Sequence, residues 1–102
     1  MIPLKKKYKK RGGRLTQIYV DDEIGIYRTT FPSVEIFKMR IGKADKFHDD
    51  EWEVYPSDED FGTYAWSCTS IESIRKILQQ RFPNHPITKG EITIDFSTAV
   101  MP

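Results

Sequence analysis

Only one stretch of this chain has the apolar spacing of a helix, and nearly all other apolar residues alternate. Ile71, Ile74, Ile77, Leu78 and Phe82 recur at intervals of three and four, which places them in one stripe along a helix. Arg75, Lys76, Gln79 and Gln80 hold the opposite face. Thr69-Ser70-Ile71-Glu72 reads as a capping box, with Thr69 accepting from the N–H of Glu72 and Glu72 reaching back. Pro83 stops the helix and Asn84 favours a turn. The spacing therefore predicts a helix over about 70–82.

The remaining pattern predicts strands. Leu15–Val20 and Ile24–Thr30 flank the polar turn Asp21-Asp22-Glu23 and read as a hairpin. Val34–Ile41 reads as a third strand and Tyr64–Cys68 as another, with a short one over Trp52–Tyr55. Gly90 precedes an expected last strand, Glu91–Phe96, where Ile92, Ile94 and Phe96 alternate with polar residues. A lone amphipathic helix and a one-faced sheet bury their apolar surfaces against each other. The expected fold is a two-layer α+β domain, a mostly antiparallel sheet of 4–5 strands packed by one helix. Its core draws on Ile24, Ile26, Phe37, Met39, Ile41, Trp66, Ile71, Ile74, Ile77, Leu78, Ile92 and Ile94.

A chain of 102 residues is enough for one such domain. Cys68 is the single cysteine, so no intramolecular disulfide can form. The N-terminus is lysine-rich rather than apolar, and apolar runs are far too short to span a bilayer. A cytoplasmic protein that does not engage membrane is expected.

The net charge of +1 hides a division. Residues 1–14 carry seven bases and no acid, while the rest of the chain sets nine bases against fifteen acids. Residues 1–13 therefore read as a flexible basic arm, with Gly12-Gly13 as its joint, and 14–102 as the folded domain. Lys5, Lys6, Lys7, Lys9, Lys10, Arg11 and Arg14 suit contact with nucleic-acid phosphates, and Tyr8 suits stacking on an unpaired base. The competing reading is a solvated terminus that only aids solubility.

Eight carboxylates crowd residues 45–60: Asp45, Asp49, Asp50, Glu51, Glu53, Asp58, Glu59 and Asp60. They lack the ligand spacing of a calcium loop, and His48 has no second imidazole at zinc-ligand spacing. A solvated loop is the simpler reading, and a docking surface for a basic protein partner is the functional one.

Nucleophilic catalysis wants a Ser, Cys or Thr beside an oriented base. The only histidines are His48 and His85, and His85, between Asn84 and Pro86, is expected at the surface. Cys68 precedes the helix cap, but its alternation with Tyr64 and Trp66 suits a small buried hydrophobe. No phosphate-cradling glycine loop or paired-cysteine zinc pattern is present. No catalytic residue, metal or cofactor is expected. Tyr8, Tyr19, Tyr27, Tyr55 and Tyr64 exceed what so small a core can bury, which allows a partner surface or a homodimer.

Pro56-Ser-Asp-Glu-Asp-Phe-Gly-Thr-Tyr-Ala-Trp66, with the capping signal and helix after it, resembles a pattern in small uncharacterised accessory proteins of bacteria and their phages. The resemblance covers residues 56–82 and implies an accessory protein with no assigned site. The expected function is a small non-enzymatic binding protein that contacts nucleic acid through its arm. The alternative is a protein-binding adaptor or inhibitor working through the acidic 45–60 segment.

Overall fold

The computed structural model describes residues 3–4, 6–10, 13–30, 33–42, 52–56 and 58–100. Five antiparallel strands form the main sheet: β1 (Lys7–Lys10), β2 (Gly13–Val20), β3 (Ile24–Arg28), β4 (Val34–Lys38) and β7 (Ala65–Cys68). Their order is β1-β2-β3-β4-β7. Helix α1 (Ile71–Arg81) follows the last strand and packs on one face. The fold is α+β, as expected.

Each element forms for a local reason. Asp21 sits in the β2–β3 turn, where its Oδ1 accepts from the N–H groups of Glu23 and Ile24, both at 2.8 Å. That is the local bonding by which Asp favours turns. Phe37 lies directly across from Gly25, and its ring occupies the space a side chain would fill there. Ile24, Ile26, Val34, Ile36, Trp66 and Cys68 form the sheet side of the helix-facing core, and Ile74, Leu78 and Phe82 the helix side. The guanidinium of Arg81 lies 5.2 Å from the centre of the Trp66 ring and covers it.

The other sheet face is apolar too. Leu15, Tyr27, Phe37 and Ala65 pack there with Leu4, and Met39, Tyr55 and Phe61 close over them. The alternation along β3 and β4 therefore separates two cores rather than a core from solvent. Tyr27 is fully buried, whereas Tyr64 is 42% exposed, so the tyrosines do divide between core and surface.

Five expectations are corrected. Val34–Ile41 is not one strand: beyond Lys38 the chain leaves the main sheet, and β5 (Arg40–Gly42) pairs with β6 (Trp52–Val54). Ile41, on that small sheet, is 41% exposed and is not core. The helix cap is Ser70, not Thr69, and its partner is Ser73, not Glu72. Ser70 Oγ accepts from the Ser73 N–H, and Ser73 Oγ from the Ser70 N–H, both at 3.1 Å. A serine at the third helical position is short enough to bond back directly. Glu91–Phe96 is not a strand of the sheet, because its apolar side chains pack beside α1 and its backbone reaches no ladder. His85, expected at the surface, is 1% exposed.

Lys7–Lys10, within the segment expected as a free arm, are paired into the sheet. β2 would otherwise present an open edge, and lysines suit an edge strand because their charge discourages further pairing. Leu4 is only 6% exposed, so the chain is anchored before β1 as well.

Candidate nucleic-acid interface

The register places the bases. Direct cross-strand partners share a sheet face. Lys7 opposes Thr16, Thr16 opposes Arg28, and Arg28 opposes Val34. Lys9 opposes Arg14 in the next row. Val34 lies in the core beneath α1, so these positions belong to the helix-bearing face, on the part of the sheet α1 leaves uncovered. Neighbouring strands are about 4.8 Å apart, which spreads Lys7 and Arg28 across roughly 10 Å.

Lys6, Lys7, Arg14 and Arg28 are exposed. Among the described residues none of the four side chains is paired with a carboxylate; the ion pairs there are Arg40–Asp60 and His85–Asp21. Thr30 Oγ1 accepts from the Arg14 N–H at 2.7 Å and fixes the backbone at that end of β2. Tyr8 opposes Leu15 and Lys10 opposes Gly13, so their positions belong to the other face. Lys5 and Arg11 lie outside the described residues. Arg28 was missed by sequence reading because it sits in a strand, far along the chain from the basic run; only the register brings it beside Lys7.

Asp45, Asp49, Asp50, Glu51 and His48 lie outside the described residues. Of the other acids in that segment, Glu53 accepts from the N–H of Leu4 at 3.0 Å, and Asp60 pairs with Arg40. Both hold the fold together. Among the described residues, no group of three or more His, Cys, Asp or Glu side chains is placed to hold a metal ion. Among them, too, no helix is long and apolar enough to cross a membrane.

A histidine–carboxylate pair is present and invites a catalytic reading. His85 Nε2 lies 2.7 Å from Asp21 Oδ2, and Tyr19 donates its hydroxyl to the same oxygen at 2.8 Å. His85 Nδ1 accepts from the N–H of Ile87 at 3.1 Å. The ring proton therefore sits on Nε2 and is donated to Asp21. Both nitrogens are occupied and the ring is buried, so neither is open to a substrate proton. The pair braces the β2–β3 turn against the turn after α1.

Cys68 is 1% exposed, and burial pushes its thiol pKa up despite a hydrogen bond with Ser73. It is a core residue, not a poised nucleophile. No family model, curated protein or solved structure matches this chain.

Proposed function

We propose that this chain is a small non-enzymatic binding protein that contacts nucleic acid through the uncovered basic end of its sheet. The observation that carries this reading is the alignment of Lys7, Lys9, Arg14 and Arg28 on one face, with no carboxylate paired to Lys7, Arg14 or Arg28 among the described residues. Side chains unneutralised within the fold are available to displace counterions from phosphates. Because β1 pairs with β2, these bases belong to the sheet rather than to a separate arm. Contacts of this kind are sequence-independent, so discrimination among sequences is expected to be weak. Tyr8, on the other face, is outside this surface.

The test is fluorescence anisotropy of labelled single- and double-stranded oligonucleotides. With about four phosphates contacted, affinity falls on the order of a hundredfold between about 50 and 200 mM salt. Absence of binding at the lower salt contradicts the proposal.

A further inference from the structure

The basic positions form a grid rather than a line. Lys7, Thr16 and Arg28 make one row across three strands, and Lys9 and Arg14 make the next. Rows on one sheet face are two residues apart, about 7 Å along the strands. The grid therefore measures roughly 10 Å by 7 Å. The aromatic residues of the main sheet are placed elsewhere. Tyr8 opposes Leu15, and Tyr27 and Phe37 pack with Leu15 in the second core, so these three positions belong to the other face. Tyr19 and Trp66 share the face of the bases, but both are engaged. Tyr19 donates its hydroxyl to Asp21 and sets its ring edge against His85, with ring centres 6.0 Å apart. Trp66 lies in the core beneath α1, against Phe82 and under Arg81. The basic end of the sheet thus presents cations and the Thr16 hydroxyl, and none of the sheet's rings.

We infer that this surface takes double-stranded nucleic acid in preference to single-stranded, an inference that rests on the proposed nucleic-acid reading. A duplex carries two phosphate backbones, separated by grooves about 6 and 12 Å wide. Long side chains spread over a grid of comparable breadth can reach both backbones. A single strand offers one line of phosphates, and its binding draws heavily on bases stacked on aromatic rings. This face supplies the charge and not the stack. The duplex also holds its counterions more densely: each phosphate contact contributes about 0.9 to the salt slope on a duplex and about 0.7 on a single strand. With four contacts, and the two affinities taken as equal at about 1 M salt, this difference makes duplex binding roughly tenfold tighter at about 50 mM salt.

Anisotropy titrations of one labelled mixed-sequence DNA strand, alone and annealed to its complement, test the preference. The expected result is roughly tenfold tighter binding of the duplex at about 50 mM salt, with a salt slope steeper by about 0.8. The variant carrying Lys7→Gln, Lys9→Gln, Arg14→Gln and Arg28→Gln is expected to lose that advantage. Tyr8→Leu, which keeps an apolar side chain and removes the ring, is expected to leave both affinities unchanged. Circular dichroism confirms folding of each variant, and the wild-type comparison decides without them. Single-strand affinity equal to or above that of the duplex, or a selective loss of single-strand binding in folded Tyr8→Leu, overturns the inference and leaves the proposed function standing. Binding of neither form at about 50 mM salt overturns both.

Discussion

Asp21 accepts a hydrogen bond from His85 at 2.7 Å across 64 positions of sequence, and the same carboxylate caps the turn of its own hairpin. Burial works to raise its pKa, but bonds from the N–H groups of Ile24 and Glu23, and from Tyr19 and His85, outweigh it and leave the pKa lowered. A carboxylate lowered in the folded state stabilises above its unfolded pKa of about 3.9 and loses that contribution as pH falls through the folded value. Asp21→Asn is expected to cost about 1–3 kcal/mol at neutral pH. The gap from wild type should close as pH is lowered past 4 toward 2. Urea unfolding across that range measures both, and a pH-independent gap contradicts the charge-based account.

The helix cap gives a contrast between adjacent residues. Ser70→Ala removes the acceptor for the Ser73 N–H, with an expected loss of about 1 kcal/mol. Thr69→Ala, one residue earlier, is expected to change stability by less than about 0.5 kcal/mol. Chemical denaturation of both variants shows which residue caps α1.

Gly25→Ala tests the packing of the second core. The new methyl group would overlap the buried Phe37 ring, and overpacking of this kind costs about 1–3 kcal/mol. Gly25→Ala combined with Phe37→Leu should regain part of that loss, measured as the coupling in a double-mutant cycle.

Cys68 is expected to resist a thiol reagent such as dithionitrobenzoate in the native protein and to react stoichiometrically in denaturant. Its burial and raised pKa both suppress the thiolate. Rapid native labelling would show that β7 opens readily.

The helix and the β2–β3 hairpin were legible because each is specified by neighbours in sequence, through the stripe Ile71–Phe82 and the turn at Asp21. Residues 91–96 were misread for a physical reason: alternation reports which side chains are buried, not whether the backbone has a ladder. The exit of β5 from the main sheet was hidden, since Met39 and Ile41 continue the alternation that β4 begins. His85 was misplaced because its burial depends on Asp21, a partner no local pattern names. The basic site was half legible. Lys7, Lys9 and Arg14 stand out as a run, whereas Arg28 joins them only through the pairing of β2 with β3.

The most direct test of the proposed function compares wild type with a variant carrying Lys7→Gln, Lys9→Gln, Arg14→Gln and Arg28→Gln. Deleting residues 1–14 is less informative, since it removes β1 and the buried Leu4. The measurement is the slope of log affinity for a single-stranded oligonucleotide against log salt concentration. Each phosphate contact contributes about 0.7 to that slope, so losing four should flatten it by about 3. That flattening, with weaker binding and an unchanged melting curve, is the predicted result. An unchanged slope and affinity in the folded variant would contradict the assignment of this sheet face to nucleic acid.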